Sequence, residues 1–190
     1  MPRSHRSAKS GLLIIDMINE YRFDDADKLF PAIEQTATHI ANLKRQMKAR
    51  SLPVVYVNDN FGKWQSDFRK LVTRCLHEQC RGKTITQILL PDEDDYFVLK
   101  PKHSGFYATP LEILLRFLQV ERVIITGVAG DNCVLFTAAD AYMREFEVTV
   151  PSDCVISIDA NANRSALNHM RVTLKAKIAP SSALLTHLAA

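Results

Sequence analysis

The chain has 190 residues, 47% of them hydrophobic and 24% charged, with only six glycines; this fits one compact domain and excludes a disordered or fibrous protein. Much of the formal net charge of +3 sits in Arg3, Arg6 and Lys9, and both signs mix elsewhere, so the basic stripe of a nucleic-acid binder is missing. No run approaches the ~20 apolar residues needed to cross a bilayer, and no apolar stretch of a secretory signal follows the basic start, so neither nucleic acid nor membrane is an expected partner and a cytoplasmic location is expected.

In chain order, residues 1–10 read as a flexible N-terminal tail and residues 11–190 as a single domain. Gly11 to Asp16 (GLLIID) is a short apolar run ended by a carboxylate, the pattern of a strand buried on both faces. From about Ala26 to Arg50, Ile33, Ala37, Ile40, Leu43 and Met47 recur at three- and four-residue steps, which predicts a long amphipathic helix. Pro53 opens PVVYVND, a second buried strand ending in Asp59, and strand, helix, strand makes a crossover unit. Asp67 to Gln79 reads as helix and Pro91 to Asp95 (PDEDD) as an acidic turn.

Tyr96 to Lys100 (YFVLK) predicts the third strand, and Pro110 to Leu118 a helix with Thr109 as N-cap and proline in its first turn. Arg122 to Val128 (RVIITGV) is the fourth strand and Val134 to Phe146 the helix after it. EVTVPSD supplies another strand, Ala160 to Lys175 another helix, and AKIAP a final strand. This alternation predicts an α/β fold, a mainly parallel sheet with helices on both faces.

In open parallel sheets ligands bind where the carboxyl ends of the strands converge. Asp16 ends the first strand, Asp59 the second and Lys100 the third, while Gly127 to Cys133 joins the fourth to its helix. Cys133 falls at or beside a predicted helix start, where unpaired amides and the helix dipole favour a thiolate. The four cysteines, Cys75, Cys80, Cys133 and Cys154, are expected as free thiols under cytosolic reductants. GVAGDN before Cys133 offers backbone N–H groups for an oxyanion hole, Asp16 could accept the thiol proton, and Lys100 would keep Asp16 ionised. As structural alternatives, a strand-end Asp and a helix-start Cys also serve as caps or core fillers.

Three separated motifs, LLIIDMINEY, VLKPKHSGF and ITGVAGDNCV, resemble those of the isochorismatase-like cysteine hydrolases, a family that includes nicotinamidases, N-carbamoylsarcosine amidases and ureidoacrylate amidohydrolases. The resemblance covers nearly the whole chain. It implies a three-layer α/β/α Rossmann-like fold with a six-stranded sheet, and a Cys133–Asp16–Lys100 triad that hydrolyses amide or related C–N bonds through a thioester. It also implies a cis peptide between Val128 and Ala129, an oxyanion hole from the amides of Ala129 and Cys133, and a homo-oligomer, dimer or larger. Where the family usually has threonine this chain has Gly130. Nicotinamidases carry a metal set of an aspartate followed by two histidines; NDNFGKWQS offers Asp59 but Phe61 and no nearby histidine, so no metal and no cofactor are expected. The C-x-H-x-x-C cluster of Cys75, His77 and Cys80 has no fourth ligand close by.

Residues at the same strand ends are candidates for a small-molecule substrate pocket: Asn19 and Tyr21, then Asn60, Phe61 and Trp64, then Phe106 and Tyr107, with core packing as the alternative for each. A metal-free C–N hydrolase is the main reading. The alternatives are a vinyl-ether hydrolase using Asp16 without the thiol, and a non-catalytic small-molecule binding protein on the same fold; a nucleotide-binding flavodoxin-like protein is disfavoured because no glycine-rich phosphate loop follows the first strand.

Overall fold

The computed structural model describes residues 9–62, 64 and 67–184. Among the described residues seven strands form one sheet: β1 (Ser10–Ile15), β2 (Val54–Asp59), β3 (Tyr96–Lys100), β4 (Arg122–Val128), β5 (Glu147–Pro151), β6 (Val155–Ile156) and β7 (Lys177–Ala179). They run in the order β3-β2-β1-β4-β5-β7, with the two-residue β6 beside the end of β4, and every pairing among the described residues is parallel. The helices are α1 (Phe30–Lys48), α2 (Phe68–Cys75), α3 (Lys83–Ile88), α4 (Leu111–Phe117), α5 (Leu135–Met143), α6 (Ala160–Val172) and α7 (Ser181–Leu184). None among the described residues is long and apolar enough to cross a membrane.

The layers follow from β1. Alternate side chains of a strand face opposite sides, so a strand that is apolar at every position needs cover on both. Leu12 and Ile14 join Ile33, Ile40 and Met47 of α1 in one apolar cluster. Leu13 and Ile15 join Leu115 of α4, Ala138 of α5 and Met170 of α6 in the other. All four β1 side chains are fully buried, each contributing about 1.5–3 kcal/mol by leaving water.

The differences from the sequence reading have local causes. Ala26–Lys28 is a single 3₁₀ turn, and α1 begins only at Phe30, with Pro31 in its first turn, where a residue without an N–H costs no helical hydrogen bond. The helix predicted over Asp67 to Gln79 stops at Cys75; Asp67 caps it by accepting the Lys70 amide at 3.0 Å. Both α3 and β6 are too short to display a period in the sequence. Pro110 precedes α4 rather than opening it, yet the Thr109 hydroxyl accepts the Leu111 amide at 3.2 Å. At the N-terminus the Lys9 carbonyl accepts the amides of Glu121 and Arg122, and buried Ser10 opens β1, so the sheet starts before residue 11; residues 1–8 of the expected tail lie outside the described residues.

The acidic turn before β3 is held by lysines of α1. Buried Lys44 reaches Asp95 Oδ2 at 2.6 Å, Asp92 Oδ2 at 3.2 Å, the Tyr56 hydroxyl at 3.1 Å and the Leu90 carbonyl at 2.9 Å. Lys48 pairs with Asp94 and, at 3.2 Å, with Asp95. The Asp95 side chain is 1% exposed, so its partners are these lysines and not water. Lys44→Ala is therefore expected to cost about 3–5 kcal/mol, the range for removing one partner of a buried ion pair. Urea unfolding checks this, and a loss below about 1 kcal/mol, as for a surface pair, would contradict it.

Candidate active site

Because the strands are parallel, their carboxyl ends share one edge. The register sets Ile15 of β1 beside Gly127 of β4 and Asp59 of β2 beside Lys100 of β3, which brings the ends of all four strands together. The pairing of β1 with β4 there requires glycine: Gly127 has a φ of 119°, and a Cβ on it would stand 2.0 Å from the Ile15 carbonyl oxygen.

Asp16 leaves β1 with a left-handed φ of 53°, an uncommon conformation that clusters at functional sites. Its Oδ1 accepts the Asp59 amide at 2.7 Å, and its Oδ2 lies 2.8 Å from Lys100 Nζ. That ammonium, fully buried, is also 3.6 Å from Cys133 Sγ and 3.7 Å from Asp59 Oδ2. The Asp16 carboxylate also acts on the Cys133 thiol, raising it. The Lys100 ammonium thus joins thiol and carboxylate, with a second carboxylate at the rim.

Two loops hold this arrangement. The Val128–Ala129 peptide is cis, and Gly130–Val134 follows as a turn of π-helix leading into α5. The Asn132 and Val134 amides both donate to the Ala129 carbonyl at 3.1 Å. Cys133, expected at or beside a helix start, lies inside the π turn, two residues before α5 begins. After Lys100 the chain docks onto α5. The Gly105 amide donates to Thr137 Oγ1 at 3.0 Å, the Thr137 hydroxyl donates to the Cys133 carbonyl at 2.7 Å, and the Ser104 hydroxyl donates to Asp140. A Cβ at Gly105 would meet Val57 Cγ1 at 2.9 Å. Lysine motif and nucleophile motif are therefore two sides of one contact.

Burial pushes the Cys133 thiol up to about 12, with the Asp16 charge adding to it and Lys100 opposing. The resting group is a neutral thiol, not the thiolate expected from a helix start, because desolvation outweighs the local positive charge. Burial also raises Asp16 above the usual aspartate range, although Lys100 and the hydrogen bonds from Cys133 and Asp59 pull it back. For Lys100, burial opposes the charge, but Asp16, Cys133 and Asp59 together raise it, so it stays an ammonium at neutral pH.

The pocket candidates divide. Phe61, Trp64 and Tyr107 are exposed. Tyr21 is not a surface group: it is 0% exposed, its ring packs on Phe23 and Phe30, and its hydroxyl donates to the Met17 carbonyl at 3.1 Å. Phe106 is likewise core, set between Phe146 and the Arg144 guanidinium. Asn19 and Asn60 spend their side-chain oxygens on the Tyr21 and Gly62 amides, at 2.7 and 2.9 Å, as turn-forming asparagines do. Asp59, which the sequence places at this edge as the end of the second strand without a role, lies 3.7 Å from Lys100 Nζ through Oδ2; Thr137 was missed and could have been found from its position four residues after Cys133 on a helix. Cys75 and Cys80 are buried, His77 points outward, and the three do not converge as a ligand group among the described residues. Cys154 is a buried free thiol.

Comparison with known proteins bears on this edge of the sheet. Residues 10–181 match the family model described as the Isochorismatase domain. The chain belongs to the isochorismatase family. This isochorismatase-family hydrolase is 45% identical over 171 residues to the isochorismatase family protein YaaI of Bacillus subtilis, covering 90% of this chain and 93% of that one. Its fold is similar to that of an isochorismatase-like hydrolase from Alkaliphilus metalliredigens, with a TM-score of 0.76, 25% identity and coverage of 96% and 100% of the two chains. It is also similar to N-carbamoylsarcosine amidase from Thermoplasma acidophilum, with a TM-score of 0.70, 27% identity and coverage of 91% and 96%. The family resemblance carried by the three motifs agrees with these matches.

Proposed function

We propose that this isochorismatase-family hydrolase cleaves the C–N bond of a small amide, carbamoyl or ureido compound through a thioester on Cys133, without a metal. The observation that carries the reading is the Lys100 ammonium in contact with both Cys133 and Asp16, whose charge bears on the thiol. The likeness to an N-carbamoylsarcosine amidase supports a C–N bond as the target.

A thiol with a pKa near 12 needs a base in contact with it, and Asp16 is that base. As Sγ attacks the carbonyl carbon, its proton passes to Asp16, the C–S bond forms and the carbonyl electron pair moves onto oxygen. The amides of Ala129 and Cys133 receive that oxyanion. Collapse breaks the C–N bond, and Asp16 returns the proton to the leaving nitrogen. Water, deprotonated by Asp16, then attacks the thioester, releasing the acid and restoring the thiol. Lys100 keeps Asp16 anionic when the thiol is neutral, and balances the charge when Asp16 is protonated and sulfur carries it. Asp59, Asn60, Phe61, Trp64 and Tyr107, at or after the ends of the same strands, are the residues this reading assigns to substrate contact.

The test is ammonia release from a panel of small primary amides, carbamoyl and ureido compounds, with and without EDTA. Release from at least one compound, unchanged by EDTA, is expected. No release from any of them would contradict a C–N hydrolase, and loss on chelation would contradict the metal-free mechanism.

A further inference from the structure

We propose that Ser157 and Asn163 are positioning residues that hold the nucleophile turn in register, and that residue 130 is glycine because Asn163 occupies the space a side chain there would need. The inference rests on Cys133 acting as the nucleophile.

A continuous chain of hydrogen bonds runs from α6 to the turn. Asn163, in the first turn of α6, donates from Nδ2 to the Val155 carbonyl of β6 at 3.3 Å. Its Oδ1 accepts the Ser157 hydroxyl at 3.1 Å, and Ser157 Oγ in turn accepts the Asp131 amide at 3.1 Å. Asp131 lies midway between Ala129 and Cys133, whose amides are the proposed oxyanion donors, so fixing the direction of its N–H fixes the turn carrying both. The base of the chain is itself anchored: the Asn163 amide donates to the Asp159 carbonyl at 2.9 Å, and the Asp159 side chain caps α6 through the Asn161 amide at 2.7 Å.

Gly130 completes the argument. A Cβ there would stand 2.0 Å from Asn163 Oδ1 and 2.6 Å from Val155 Cγ1. Its φ is not in the left-handed region, so what demands glycine is the approach of Asn163 and Val155 and not backbone conformation. Glycine leaves position 130 with no side chain to brace against β6, and Asn163, with Ser157, braces that end of the π turn from outside.

A tether of this kind affects only steps that need the oxyanion donors aligned. Acylation of Cys133 by p-nitrophenyl acetate passes through a tetrahedral oxyanion; alkylation by iodoacetamide displaces iodide directly and does not. Both are followed by mass spectrometry at Cys133, with p-nitrophenolate release as the second record of acylation. In Ser157→Ala and Asn163→Ala the acylation rate is expected to fall roughly 10- to 100-fold while alkylation changes less than about twofold, since misplaced oxyanion donors cost rate only where an oxyanion forms. Gly130→Ala, which displaces Asn163, is expected to give the same split, and Ser157→Thr, which keeps the hydroxyl, to restore acylation. Parallel loss in both reactions, or no loss in either, would overturn the assignment as a packing effect or no effect. Absence of acylation in the unaltered protein would instead bring down the nucleophile reading itself, and this inference with it.

Discussion

Cys133→Ala is expected to abolish turnover, by roughly four orders of magnitude or more, as removal of a nucleophile does in other covalent hydrolases. The geometry gives the reason: neither Asp16 nor Lys100 can form the covalent intermediate, and no other thiol is at the site, since Cys75, Cys80 and Cys154 are buried elsewhere. The fold should survive. The turn carrying Cys133 is held by the Ala129 carbonyl, by the Thr137 hydroxyl and by Ser157, none of which uses the sulfur, and loss of one partly buried side chain costs about 1 kcal/mol. Ammonia release together with thermal unfolding checks both halves. Turnover surviving in the variant would favour a reaction run by Asp16 alone, such as proton-driven vinyl-ether cleavage.

Asp16→Asn separates the base from the nucleophile. Burial is the largest cause that holds the Cys133 thiol up, and it remains in the variant although the contribution of the Asp16 charge is lost, so without its base the variant is expected to lose roughly two to four orders of magnitude in kcat. Asparagine keeps an oxygen for the Asp59 amide, which limits the structural disturbance. The pH dependence carries the sign. In the unaltered protein activity falls as pH drops through the Asp16 pKa, an acid limb displaced above the ordinary aspartate value because burial raises it. In the variant the residual rate climbs with pH through the alkaline range, because hydroxide must now make the thiolate. Paired pH–rate profiles decide this; two curves of the same shape differing only in height would show that Asp16 is not the base.

How much of this was legible in the sequence depends on element length and on solvent exposure. β3 and β4 have the boundaries read from YFVLK and RVIITGV: β4 because a buried parallel strand is written as an unbroken apolar run, and the edge strand β3, exposed at Tyr96 and Phe97, because aromatic and β-branched residues follow an acidic turn. α3 and β6 were invisible, six and two residues long, less than any hydrophobic period can reveal. At the site, Asp16, Lys100 and Cys133 could be placed together because strand ends in a parallel sheet converge wherever the helices lie. Tyr21 and Phe106 could not be sorted from Phe61 and Trp64, since an aromatic side chain beside a strand end suits a core and a pocket equally well. The charge state of Cys133 was also beyond the sequence: helix position suggests a thiolate, but the burial that reverses it depends on which side chains close over the sulfur. The sequence shows no reason for glycine at position 130, and only the place of Asn163 in α6 shows what fills the space.

The most direct test of the account is acid-quenched mass spectrometry of the protein during turnover of an amide that releases ammonia. The account predicts an acyl group of the substrate's mass on the peptide containing Cys133, labile to hydroxylamine and missing in Cys133→Ala. Steady turnover with no adduct at Cys133 at any quench time, and an undiminished rate in Cys133→Ala, would contradict it.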